Sequence, residues 1–117
     1  MNSDKSFYKR AFDESVEAIG IFDTNDVIID VNPAFEKLFE YSREDLIGKG
    51  FPGYFAYSSE EFLTWIDRLR KGEGTVDHMS TRKSKSGRLI NVSMSVSPIF
   101  DSKRNLIAIA VSYRDIT

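Results

Sequence analysis

Apolar positions recur at two different periods along the chain, and the switches between them mark out its elements. Over residues 3–16, Phe7, Tyr8, Ala11, Phe12 and Val16 return near helical period, with Ser3 placed as a cap. The aromatic side of such a terminal helix must dock on its own domain or on a second copy, because the patch is costly in water. Residues 17–23 and 26–31 read as two short strands turned through Thr24 and Asn25. In the first strand Gly20 and Phe22 share one face and Ile19 and Ile21 the other, so both faces need cover. In the second, Val27, Ile29 and Val31 form the side expected to meet the core.

Residues 30–49 carry the chain off the strand and into helices. Asn32 is a good N-cap, and Pro33 stands at the first helical position, where a missing N–H costs nothing. Phe35, Leu38 and Phe39 then share a face, with Glu36, Lys37 and Glu40 pointing away. Ser42 opens a second short helix, with Asp45 spaced to complete a capping box, and Leu46, Ile47 and Gly48 close it. The irregular stretch 48–58 holds Phe51, Tyr54, Phe55 and Tyr57, whose rings need a surface, among glycines that let the backbone bend around a core or a ligand. Ser58 or Ser59 caps a longer helix to about Lys71, with Phe62, Trp65, Ile66 and Leu69 on one face and Gly72 past its end.

The remainder is strand. Residues 74–85 alternate poorly, leaving open whether Val76, His78, Ser80 and Arg82 or Thr75, Asp77, Met79 and Thr81 face inward. Lys85, Ser86 and Gly87 form a hairpin turn. Residues 89–99 set Ile90, Val92, Met94 and Val96 against Asn91, Ser93, Ser95 and Ser97, an apolar face against a solvated one. After a turn at 101–105, residues 106–113 are almost wholly apolar, as expected of a central strand covered on both sides.

At 117 residues the chain is one domain by size. Its 16 basic and 18 acidic residues are spread along the sequence for a net charge of -2, so no field draws in nucleic acid or an anionic membrane. Cysteine is absent, which excludes disulfides, thiolate metal sites, cysteine nucleophiles and cysteinyl photoadducts, and a reducing cytoplasm is the expected location. No run is long enough to span a bilayer.

In this order and spacing the sequence resembles a PAS domain over its whole length. The residues that carry the resemblance begin with Ile21-Phe22-Asp23 and Val31-Asn32-Pro33-Ala34-Phe35, followed by Tyr41 and Leu46-Ile47-Gly48. Lys85-Ser86-Gly87, Ser97-Pro98-Ile99 and the closing Arg114-Asp115-Ile116-Thr117 complete it. The resemblance implies an α+β fold: a five-stranded antiparallel sheet, order 2-1-5-4-3, with helices packed on one face and an N-terminal flanking helix. Residues 1–16 would be that helix and 17–117 the core. It further implies a sensory role in signalling proteins, a small interior cavity, and a homodimer formed through the flanking helix and the outer sheet face. Asp115, Ile116 and Thr117 look like the family's exit triplet. There the acid anchors the strand end, with Arg114 or Lys49 as its basic partner, and the threonine begins the linker to an effector in the same chain. Ending on that triplet, the chain is expected to be one part of a longer signalling protein.

Individual residues decide which branch of the family fits. Photoreceptor members need a cysteine where this chain, counting from Gly48, has Phe51, and a glutamine where it has Tyr113. Haem members use a histidine of the long helix, whose inward positions here are apolar, so neither haem nor cysteinyl-flavin chemistry is expected. The single histidine, His78, makes no metal site alone. Non-covalent FAD stays open, with Trp65 as a stacking partner or simply as a core residue. The residues expected to line the interior are Phe22, Ile29, Phe39, Phe55, Trp65, Ile66, Val92, Met94, Val96, Ile109 and Tyr113. Arg82 joins them, as a carboxylate or phosphate contact, if its strand takes the His78 parity. That lining suits a filled core or a small apolar ligand.

A catalytic constellation is missing: Asp23, Asp30 and Asp115 fall at turns or strand ends, and there is no phosphate-binding glycine loop before a helix. Two readings remain. One is a cytoplasmic sensory input domain relaying to a histidine kinase, cyclase or transcription regulator. The other is a ligand-free dimerisation or spacer module.

Overall fold

The computed structural model describes residues 2–53 and 59–117. The elements run α1 (Asn2–Glu14), β1 (Ala18–Asp23), β2 (Ile28–Val31), α2 (Pro33–Phe39), α3 (Arg43–Leu46), α4 (Ser59–Arg70), β3 (Val76–Lys83), β4 (Leu89–Phe100) and β5 (Leu106–Asp115). The strands form one antiparallel sheet in the order β2-β1-β5-β4-β3. One face is the core: Ala18, Phe22, Ile109, Val111, Tyr113, Val92, Met94 and Val96 are buried there against Phe35 and Phe39 of α2 and Phe62, Trp65, Ile66 and Leu69 of α4. On the other face of β4, Asn91 is exposed and Ser93, Ser95 and Ser97 are half-buried, as their alternation predicts. The central strand β5 is less covered than expected, since Ala110 and Ser112 on its outer side are only half-buried.

Asn32 is where helices and sheet are fastened together. Fully buried, it caps α2 by accepting the Phe35 N–H at Oδ1 (3.0 Å) and accepts the Ile19 N–H of β1 at the same oxygen (2.9 Å). Its Nδ2 donates to the carbonyls of Phe12 and Glu17, both at 3.0 Å. Neither end of the amide is left unpaired, as a buried polar group requires.

Two expectations need correction, and a third point left open is narrowed. Ile29 is 46% exposed and Ile28 only 1%, because a bulge pairs Phe22 with Ile28 and Ile21 with Asp30. The extra residue, Ile29, is pushed outward, and the parity of the strand reverses there. Ser42 caps α3 without a side-chain bond; the Glu36 carboxylate takes the Arg43 N–H at 2.7 Å instead, so no capping box forms. Finally, of the two surfaces left open for the aromatic side of α1, its own domain does not cover Phe7 and Tyr8. The helix is held at its C-terminal end through Phe12, while Phe7 and Tyr8 are 71% and 72% exposed.

The β3–β4 turn grips the end of α2. Lys85 N–H bonds the Phe39 carbonyl at 3.0 Å and Ser86 N–H the Glu40 carboxylate at 3.2 Å. Glu40 itself is left-handed, with φ at 65°. The Ser86 and Ser84 hydroxyls hold its carboxyl below the usual range. Nearby, a Cβ on Gly53 would lie 2.5 Å from the Phe51 ring and 2.6 Å from the Lys83 carbonyl.

Asn32→Ala strips the cap and leaves four backbone groups without their partner, and should cost about 3 kcal/mol or more in urea unfolding. Gly53→Ala should cost about 1–3 kcal/mol in the same measurement, by overpacking against Phe51.

Candidate functional site

The interior between α2 and the sheet is built from four rings. Phe35 and Phe39 lie 4.8 Å apart by centroid, Phe39 and Tyr113 5.2 Å, and Phe35 and Phe51 5.3 Å, all tilted or edge-on. Such packing adds roughly 0.5–1.5 kcal/mol per pair beyond area burial. On this side the space is a filled core. The register of β3 with β4 settles the parity the sequence left open: His78, Ser80 and Arg82 face Met94, Val92 and Ile90. They therefore point inward, and Met79 outward.

Arg82 is 3% exposed, and its Nη1 donates to Ser80 Oγ at 2.7 Å and the Thr81 carbonyl at 3.1 Å. Burial pushes the Tyr113 hydroxyl far above the usual phenol range, and the guanidinium of Arg82 opposes that shift. His78 packs edge-on against Trp65, ring centroids 5.4 Å apart.

Of the residues expected to line the interior, Phe22, Phe39, Trp65, Ile66, Val92, Met94, Val96, Ile109 and Tyr113 fall in one buried cluster, and Arg82 is buried beside them. Ile29 does not join them. Phe55 lies outside the described residues. Phe35 and Phe51 belong to the cluster without having been expected in its lining; Phe35 was legible from the helical face it shares with Phe39.

A second arrangement closes the end of β5. Ile116 N–H bonds the Asn91 carbonyl at 2.8 Å, and Asn91 N–H bonds Thr117 Oγ1 at 3.0 Å, so the threonine hydroxyl stands in for a backbone carbonyl in the ladder. Asp115 accepts the Thr117 N–H at 2.9 Å. Of the two basic partners expected for Asp115, Arg114 pairs with Glu17 at 3.3 Å instead.

The model of the PAS domain family matches residues 16–117. The chain belongs to the PAS domain family. Solved PAS domains share its fold over nearly the whole chain. One from Colwellia psychrerythraea is 23% identical, with a TM-score of 0.85, covering 97% of this chain and 98% of that one. A PAS domain from a two-component sensor histidine kinase is 23% identical, TM-score 0.76, covering 97% of each. The PAS domain of a LuxR-family transcriptional regulator from Burkholderia thailandensis, solved in complex with ethanol, is 25% identical, TM-score 0.71, covering 93% and 96%. No curated protein matches the sequence. Within this PAS domain, Phe51, where photoreceptor relatives are expected to carry cysteine, is buried against Phe35 and Phe39. No helix among the described residues is long and apolar enough to cross a membrane.

The bonds to Thr117, backbone first and hydroxyl second, hold the Asp115 carboxyl below the usual range. A depressed acid stabilises the folded exit above its unfolded value of about 3.9 and loses that contribution as pH falls through the lower folded value. Amide exchange at Thr117 should therefore quicken at strongly acidic pH, and Asp115→Asn should abolish that dependence. NMR exchange rates across the acid range measure both.

Proposed function

We propose that this PAS domain is the cytoplasmic input module of a larger signalling protein, a histidine kinase or similar regulator, and that it transmits a conformational signal through the end of β5. The supporting observation is the position of Asn91. It holds both Ile116 and Thr117, while its neighbours on β4, Ile90 and Val92, are fully buried in the core. Repacking of the core thus shifts the residue that holds the exit. Catalysis belongs to the effector and not to this segment. A signal can only bias such a two-state element by as much as it favours one state over the other.

A second reading, sensing of a small ligand, is favoured by the inward Arg82, which offers a cation to a small, mostly apolar molecule carrying an acid. A ligand-free dimerisation module is the alternative from another class. In both readings the chain is a homodimer. A 13-residue helix is marginal alone in water, and α1 carries Phe7 and Tyr8 exposed, so its ordered form is supported by a second copy.

Asp115→Ala in the full-length protein should uncouple output while the domain stays folded by circular dichroism; unchanged signalling removes the exit route. Native mass spectrometry of purified protein separates the readings inside the core: a co-purifying small acid lost in Arg82→Met supports sensing, and a ligand-free protein supports the relay. Phe7→Ser with Tyr8→Ser should convert the dimer to monomer in light scattering.

A further inference from the structure

The two edges of the sheet are treated differently. At β2 the outer side is covered: Ile28 gives its N–H to the Lys49 carbonyl and takes the Gly48 N–H at its own carbonyl, both at 2.8 Å. At the other edge, β3 is longer and pairs with β4 in unbroken register. Asn91 turns its N–H and carbonyl to the end of β5, so Ile90, Val92 and Met94 turn theirs to β3, where Arg82, Ser80 and His78 answer them. Asp77, Met79, Thr81 and Lys83 therefore direct their backbone groups away from the sheet. The Lys83 N–H finds the Gly53 carbonyl at 2.6 Å. Among the described residues, nothing bonds the backbone of Asp77, Met79 and Thr81 on that side. A bare edge of this kind is a template for another strand, and residues 77–81 have no bulge, proline or lysine to guard it.

We propose that this edge pairs with the same edge of a second copy, antiparallel about a two-fold axis at Met79. The contact runs from backbone to backbone and α1 takes no part, so it stands apart from the dimer reading above. The axis sets Met79 against its symmetry mate and Asp77 against Thr81, and each such pair exchanges both backbone bonds. The open stretch is used in full, and it ends where Gly53 occupies the place a longer strand would need. Charge selects a second copy in this direction. The acids Glu73 and Asp77 lie before Met79 and the bases Lys83 and Lys85 after it. The axis brings each acidic end to the other copy's basic end, with Asp77 diagonal to Lys83 and within a lysine's reach. Asp77 accepts from Ser95 Oγ at 3.2 Å, and both it and Lys83 are exposed. Exposed charge pairs add little affinity, so these choose the register. Met79, 72% exposed, gains cover from its mate at the centre. The pairing is isologous and leaves no further edge of β3 to extend it. A strand pair this short buries less than the roughly 1,200 Å² of a standard complex, so the association is weak and depends on concentration.

Amide exchange by NMR in dilute and concentrated samples of the chain reads the edge directly. The amides of Asp77, Met79 and Thr81 should exchange freely when dilute and severalfold more slowly when concentrated. Those of His78 and Ser80, bonded to β4 throughout, should not change. Met79→Pro deletes the central donor at an edge position where proline is tolerated, and should abolish the concentration dependence with an unchanged circular dichroism spectrum. If that variant misfolds, Lys83→Asp sets two acids together and should weaken the pairing, and adding Asp77→Lys should restore it. Exchange at the outward amides that ignores concentration, whether fast or slow, overturns the proposal. So does slowing that persists in folded Met79→Pro or is indifferent to the charge exchange. The readout is confined to β3, so the α1 contact, tested at Phe7 and Tyr8, stands or falls separately.

Discussion

One buried amide holds this domain in register. Asn32 is bonded at once to the N-terminus of α2, the backbone of β1 and the two carbonyls that end the flanking helix and lead into the sheet. Because each of these groups is backbone, any other side chain of similar size leaves a donor or acceptor without its complement in a dry environment. The end of α1 is thus tied to the core through Asn32.

The start of α2 could be read in the sequence because its cause is local: a capping residue followed by proline, then Phe35 and Phe39 at helical spacing. The face of β4 could be read for the same reason, since its apolar and polar positions alternate without error. What escaped was determined at a distance. The outward turn of Ile29 follows from a bulge against β1, and no property of the sequence 26–31 distinguishes it from Ile28. The parity of β3 was illegible because both of its faces carry polar residues, and only pairing with β4 sends Arg82 inward. Glu36 took over the capping of α3 from seven residues away. At the candidate site, Phe39 and Tyr113 were legible as core residues of periodic elements. Phe51, in an irregular stretch, could be recognised only as a ring in need of a surface.

The interior has two chemical characters side by side. The four rings around Phe39 are apolar and tightly packed, and rings in contact move together or not at all. The inner face of β3 adds the guanidinium of Arg82, the hydroxyl of Ser80 and the imidazole of His78. A signal that alters charge or hydrogen bonding there meets a rigid aromatic block on one side and β4 on the other. β4 is the element that also holds the exit, which gives the polar region a short mechanical path to Thr117.

The grip of the β3–β4 turn on the end of α2 carries a kinetic consequence. The bond between Ser86 and Glu40 joins residues 46 positions apart. The turn itself is local and can form early, whereas the helix end can meet it only after a long loop has closed. Interactions that form after the rate-limiting step leave the folding rate unchanged and set the unfolding rate. The bond at Glu40 is thus a long-range closure, and it slows unfolding more than it speeds folding to the extent that it forms after that step.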